Sequence, residues 1–250
     1  MKIKYTISKD RRVDYFNRFI SKNFPTFLKE KSPDVVLVAG GDGAMHHAIY
    51  DNQDFKGIFL GKALGTFNFL MNSFVDDLLF LEKLVKDEMK INSVKTDAIS
   101  VYVGDKYVGE AVNDLIVGKE IDGYKKFYIN SKDKSFNNFM VSGAGICIST
   151  PLGSTAYNFN NGGLILPLNS NLWSITGIVC NRKIMDIIEG QELTILASNS
   201  NLIISGIDKG GIKKGEVITL KPGRSYNIGF LDIEEFAERR VRLANRYRLN

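Results

Sequence analysis

The sequence predicts a composite fold: an open, mainly parallel α/β sheet, then an all-β, sandwich-like domain, then a terminal helix returning to the first domain. Three observations carry this. Up to about residue 95, buried strand-like runs alternate with amphipathic helical patterns. From there to about residue 230 the texture changes to short strand-like runs broken by turn signals. The tail from Ile233 to Tyr247 is a basic helical pattern with Phe236, Val241, Leu243 and Tyr247 as packing positions. The expected boundaries are 1–95 for the α/β domain, 96–230 for the β-rich domain and 231–250 for a helix packed on the first domain.

Taken in order, Lys2 to Ile7 alternates as a first strand does, and Tyr15, Phe16, Phe19 and Ile20 recur at helical spacing. Val35 to Ala39 is a β-branched, buried strand. It runs into Gly40-Gly41-Asp42-Gly43, after which Ala44 to Tyr50 can begin a helix. Lys56 to Leu60 reads as another short strand, followed by a second glycine turn, Gly61 to Asn68. Asp76 to Asp87 is an amphipathic helix. Later strand-like runs are Ala98–Val103, Tyr107–Val117, Lys126–Ile129, Phe139–Ser142, Gly145–Ser149, Leu172–Ile178, Glu192–Leu196, Leu202–Ile207, Val217–Leu220 and Tyr226–Phe230. Asp122-Gly123, Lys209-Gly210-Gly211 and Pro222-Gly223 read as turns.

Composition narrows the function. Hydrophobic residues make up 44% and charged residues 24% of 250, and the net charge is +5. That balance suits a polyanionic small ligand. The basic residues are scattered and no zinc finger, RNA-recognition sequence or long basic arm occurs, so nucleic acid is not the expected partner. No apolar run reaches the roughly 18 residues of a membrane span, and Met1 to Arg12 lacks a signal-peptide core. Cys147 and Cys180 lack metal-site spacing and read as free thiols. A cytoplasmic protein is expected.

Three stretches carry chemistry. The first is the Gly40–Gly43 turn, where strand, glycines and helix start make an anion site. Asp42 within it is odd for plain phosphate binding. It makes sense as an acceptor of a hydroxyl proton or beside a bound cation, and equally as a helix cap in a tight turn. The second is Asn113-Asp114, an amide and a carboxylate in an apolar run. They read as a ribose-diol grip at a strand end or bulge, or as a plain turn between two strands. The third is Ser149 to Tyr157, STPLGSTAY, with Gly162-Gly163 behind it. It reads as a loop that hydrogen-bonds a base and stacks it on Tyr157, or as a Ser/Thr loop capping a helix. There is no P-loop. His46 stands where the dinucleotide fingerprint has its third glycine, and His46-His47 lacks metal-ligand spacing.

Together, GGDG, Asn-Asp before a strand and STP-x-GSTAY with its trailing Gly-Gly resemble the NAD kinase family, from about Val35 to Pro167. The resemblance implies phosphoryl transfer from ATP, or polyphosphate, to the 2′-hydroxyl of the adenosine ribose of NAD, with Mg²⁺. It implies that Asp42 is the base and that Gly40, Gly41 and Gly43 cradle phosphates. Asn113 and Asp114 would hold ribose hydroxyls and the adenine edge. Ser154, Thr155, Ala156 and Tyr157 would line the adenine and nicotinamide ends. The metal would ride on nucleotide phosphates, with no dedicated protein cage, and the assembly would be a homodimer or homotetramer. Four departures from the family pattern stand out. Asp114 replaces the usual Glu. Gly143-Ala144-Gly145 stands where the family commonly has Asp-Gly. Leu152 replaces a Thr. The second turn, with Gly65, Thr66, Phe67 and Asn68, resembles the P-L-G-T-x-N of diacylglycerol and sphingosine kinases, which share the GGDG site. A superfamily kinase with a lipid or other nucleoside acceptor, or a catalytically weak nucleotide binder, are the alternative expectations.

Overall fold

The computed structural model describes all residues except 8–10, 65–67, 75, 119–124, 182–183, 198 and 247–250, and, within the last helix, the side chains of 235, 241 and 243–246. The expected Asp122-Gly123 turn, residues 65–67 of the second glycine turn, and the packing of Val241, Leu243 and Tyr247 lie outside the described residues. In chain order the first part holds β1 (Ile3–Thr6), α1 (Asp14–Asn23), β2 (Val35–Gly40), α2 (Asp42–Asp51), β3 (Ile58–Ala63) and α3 (Asp77–Val85). Then come β4 (Asn92–Val103), β5 (Lys106–Ala111), β6 (Asp114–Gly118), β7 (Lys125–Ser131), β8 (Phe139–Ser149), the short α4 (Tyr157–Asn160) and β9 (Leu172–Cys180). β10 (Met185–Glu189), β11 (Leu193–Ala197), β12 (Ser200–Ile204), β13 (Ile207–Ile212), β14 (Val217–Phe230) and α5 (Ile233–Arg246) complete the chain. It divides into two compact units, Met1–Lys95 with Tyr226–Asn250, and Thr96–Ser225.

In the first unit β1, β2, β3 and the end of β14 run parallel, with Ile3 opposite Val35, Val35 opposite Ile58, and Asn227 opposite Ile58 on the other edge of β3. β2 is buried along its whole length, as a strand with both faces covered must be. Phe16 and Ile20 of α1, Leu37 of β2, Leu60 of β3 and Leu81 and Leu84 of α3 share its core. α3 starts where expected because the Asp76 carboxylate accepts from the Leu79 amide at 2.9 Å. Lys62 is buried at the end of β3. It is held by Asp77 at 2.7 Å, by the Phe74 carbonyl at 2.8 Å and by the Phe74 ring at 3.9 Å.

The second unit is built on antiparallel pairing. β8 takes β7 and β6 along its length and β9 on its other side, and β12 extends from β6 to β13. Phe127, Ile129, Ile146, Ile148, Trp173 and Ile175 fill its core. Several sequence expectations change here. Tyr107–Val117 is two strands, broken at Val112-Asn113. Lys209-Gly210-Gly211 lies inside β13, and β10 is a strand the sequence pattern did not reveal. Pro222-Gly223 is strand interior in β14, because a Cβ on Gly223 would lie 2.2 Å from Glu110 Oε2 and 2.9 Å from the Ser100 amide. The glycine permits close approach and does not turn the chain. Gly223→Ala is therefore expected to lower stability by about 1–3 kcal/mol, as overpacking does. Urea unfolding checks this, and an unchanged midpoint would return residue 223 to a turn.

Candidate active site

The first site forms where β2 ends. Gly40 adopts φ +140°, and a Cβ there would meet Ala44 Cβ at 3.0 Å. Gly41 is the N-cap of α2, with extended backbone and no side-chain cap. Asp42 therefore does not cap its own helix, which was one of the two sequence readings. The first α2 amides are left for other acceptors. A Cβ on Gly43 would meet nothing within 4 Å, and one on Gly41 only Asn68 Oδ1 at 3.7 Å.

The Asp42 carboxylate turns away from its helix. Oδ1 accepts from the Phe69 amide at 3.0 Å and the Leu70 amide at 2.9 Å, and Oδ2 lies 3.0 Å from the same Phe69 amide. Burial pushes its pKa up, while those two amides, then Arg240 and Arg239 of α5, hold it down, with burial winning. The result is a carboxylate that stays oriented yet is more basic than usual, as a general base requires. Arg240 is itself buried, and burial lowers its pKa to about 10. The basic tail is thus not uniformly a solvated face: Arg240 is buried while Arg242 is exposed. A buried cation facing the only acidic group of the GGDG turn is not distinguishable, letter by letter, from an exposed one.

A cleft of about 610 Å³ opens beside the turn, lined by Thr6, Arg12, Gly40, Gly41, Gly43 and His47 among others. It sits past the carboxyl ends of β1 and β2, where ligands of open α/β sheets bind. Thr6 Oγ1 is buried without a hydrogen-bond partner. His46, on the Asp42 side of α2, is kept neutral by burial, then by His47, with a pKa near 4. Its Nδ1 is buried and unpartnered.

The second site lies in the other unit and joins the two remaining motifs. Asn113 occupies the break between β5 and β6, and Asp114 is the first residue of β6. Thr150 Oγ1 donates to the Val112 carbonyl at 2.8 Å, with the Asn113 carbonyl 3.0 Å away, and accepts from the Gly153 amide at 3.1 Å. The Thr150 amide also donates to the Asn113 carbonyl at 3.0 Å. Ser205, at φ +48°, accepts from the Val112 and Asn113 amides at 3.0 and 3.2 Å. A Cβ on Gly153 would lie 2.0 Å from the Asn113 carbonyl oxygen, so glycine is needed there for the loop to close on the break. Asn113 Nδ2 donates to Asp114 Oδ2 at 3.1 Å, while Asn113 Oδ1 is buried without a partner. Burial raises the Asp114 pKa to about 6.

Within STPLGSTAY the residues divide. Ser154 is fully buried; its hydroxyl donates to the Pro151 carbonyl at 2.8 Å and accepts from the Leu166 amide at 3.0 Å. Thr155 and Ala156 are half-buried, and Tyr157 is 38% exposed. Asn158, which the sequence reading passed over, is the loop's anchor. Its amide donates to the Ser154 and Leu164 carbonyls at 3.1 and 3.0 Å and accepts from Ser174 Oγ at 2.8 Å. A Cβ on Gly163 would lie 2.0 Å from Asn158 Oδ1, which explains the trailing glycine. An asparagine four residues past a hydroxyl loop, just ahead of Gly-Gly, was the available signal.

Among the described residues no three His, Cys, Asp or Glu side chains converge on a metal position.

No protein-family model matches the sequence. Curated relatives do. NAD kinase of Rickettsia prowazekii is 29% identical over 157 residues, 63% of this chain and 61% of that protein. NAD kinase of Rickettsia bellii is 32% identical over 158 residues, again 63% of this chain and 61% of the relative. The aligned stretch thus spans about three fifths of the curated relatives. Among solved structures, yeast NADH kinase complexed with NADH superposes with a TM-score of 0.78 at 17% identity, covering 97% of this chain and 87% of that one. An Archaeoglobus fulgidus NAD kinase in complex with ATP gives 0.71 at 16%, covering 94% and 95%. The chain therefore shares the fold of these solved kinases. It is the NAD kinase fold, with its parallel α/β segment, antiparallel β unit and C-terminal helix.

Two outcomes follow from this geometry. Gly153→Ala should destabilise the second unit by about 1–3 kcal/mol, read as a drop in Tm. Asp114 binds a proton more readily folded than unfolded, so the wild type should lose stability as pH rises from about 4 to about 6. Asp114→Asn should remove that loss and be the more stable protein at pH 8. Thermal melts across pH check this, and parallel curves for the two proteins would contradict it.

Proposed function

We propose that this protein is an NAD kinase, transferring a phosphoryl group from ATP or polyphosphate to the 2′-hydroxyl of the adenosine ribose of NAD. One observation carries the reading. The GGDG turn, whose glycines line an Arg12-containing cleft, also holds an oriented carboxylate of raised basicity. Asp42 takes the proton of the acceptor hydroxyl as its oxygen attacks the γ-phosphorus and the bond to the leaving phosphate breaks. Phosphoryl transfer asks mainly for positioning and charge stabilisation. The α2 amides beside Gly41 and Gly43, with Arg12, hold the donor phosphates. Mg²⁺ carried on those phosphates supplies further neutralisation of their charge.

The α/β unit is the phosphate and proton-transfer domain, and the β unit is the nucleoside domain. Asn113 and Asp114 grip ribose hydroxyls, the orphaned Asn113 Oδ1 accepts from the ligand, and Tyr157 stacks on its ring. Thr155 and Ala156 line the base beside it, and Ser154 shapes the loop. Asn68, whose Oδ1 lies 3.7 Å from a Cβ built on Gly41, stands beside the glycine turn. The likeness to NAD kinases supports this division. The protein acts in the cytoplasm, in keeping with its free Cys147 and Cys180. It assembles as a homodimer or homotetramer through the β unit, whose β10 exposes Met185 and Ile187. Light scattering reads the assembly directly.

A coupled assay for NADP, with NAD, ATP and Mg²⁺, tests the reaction. Wild type should form NADP, and Asp42→Asn should lose at least about 100-fold in kcat, at the lower end of what general-base catalysis supplies. Activity retained by the variant would remove Asp42 from the base role. No NADP with ATP or with polyphosphate would reject the reaction itself.

A further inference from the structure

Segment 68–72, which presents two amides to Asp42, forms no helix, and its recorded ladder contact is the bridge between Lys62 and Asn72. Something must fix it, since a base that swings by an ångström loses much of its effect. We infer that Asn72 is a positioning residue for Asp42: it latches segment 68–72 so that the Phe69 and Leu70 amides meet the carboxylate. This rests on reading Asp42 as the base.

Asn72 is 5% exposed and uses its backbone and side chain together. Its carbonyl accepts from the Ala63 amide at 2.8 Å and its amide donates to the Gly61 carbonyl at 2.9 Å. Its side-chain nitrogen donates to the Gly61 carbonyl at 3.1 Å and the Gly229 carbonyl at 2.9 Å. Its side-chain oxygen accepts from the Leu231 amide at 2.8 Å. Two donors and one acceptor on one short planar group are what an asparagine supplies. Aspartate has no donor and leucine has neither. The latch thereby joins β3, β14 and the residue just ahead of α5.

Neighbours reinforce it. A Cβ on Gly61 would lie 2.5 Å from Met71 Sδ and 3.1 Å from the Leu70 carbonyl, so β3 leaves the space that the segment fills. Arg239 Nη1 donates to the Met71 carbonyl at 3.4 Å. Among the described residues, Arg240 and Arg239 of α5 are the charged groups that act on Asp42. The two amides lower the pKa of Asp42 against the effect of burial. Loosening them raises it, so the base is lost at a higher pH.

The test uses the full chain with Asn72→Leu, Asn72→Asp and the longer amide Asn72→Gln. For Asn72→Leu, kcat should fall about 10- to 100-fold with KM for both substrates nearly unchanged. The acid limb of kcat/KM should move up by about one pH unit, with Asn72→Gln recovering part of that shift. The Asp42 carboxyl titration followed by ¹³C NMR reads the same shift without turnover. Should one variant fail to fold, the others carry the titration. A titration and an acid limb that stay in place, with kcat following only the folded fraction, would overturn the inference and leave Asn72 a structural residue. The base reading fails separately, through an active Asp42→Asn.

Discussion

The clasp on Asp42 is the interaction on which the first unit's chemistry depends. A carboxylate half-buried beside a phosphate cleft is unfavourable twice over, through lost hydration and through repulsion of its ligand. Backbone amides from Phe69 and Leu70 offset part of the first, and Arg239 and Arg240 offset part of both. Several elements of this unit contribute: β2 delivers the turn, β3 makes room at Gly61, β14 and the approach to α5 hold Asn72, and α5 brings the arginines.

The second unit solves a related problem differently. Its polar pair, Asn113-Asp114, sits in a strand break whose backbone groups are bound by Thr150 and Ser205. With the main chain satisfied, the side chains are left to face outward chemistry. Gly153 presses against the Asn113 carbonyl, so the hydroxyl loop and the strand break form one rigid piece and not two adjustable ones. That rigidity means little ordering is left for a ligand to impose, which favours binding. The raised pKa of Asp114 is the cost carried by the fold.

Much of this was legible in the letters, and the limits have physical causes. The VVLVAGGDG stretch shows its strand and turn because β-branched runs and glycines have few other uses. The polar pair in an apolar run correctly marked a discontinuity. Three features were not legible. The amides of Phe69 and Leu70 are backbone groups, present in every sequence and specified by none. Arg240 looks like any basic residue on an amphipathic helix until its neighbours are known. Pro222-Gly223 and Lys209-Gly210-Gly211 carry turn residues for reasons of close approach or local twist within strands, which composition alone does not separate from a true turn.

Gly43 leads to a different kind of conclusion. Among the described residues, its own helix backbone and chain neighbours aside, nothing lies within 4 Å of where its Cβ would be, so no packing among them demands a glycine there, unlike Gly61 or Gly153. Glycine in a helix is less favourable than alanine by up to about 1 kcal/mol, less in the first turn. The fold alone would gain from a methyl group at this position. Its vacancy is better understood as an imprint of the occupant than as a property of the container: the chain's own atoms outline, by omission, the place where a ligand's atoms press closest.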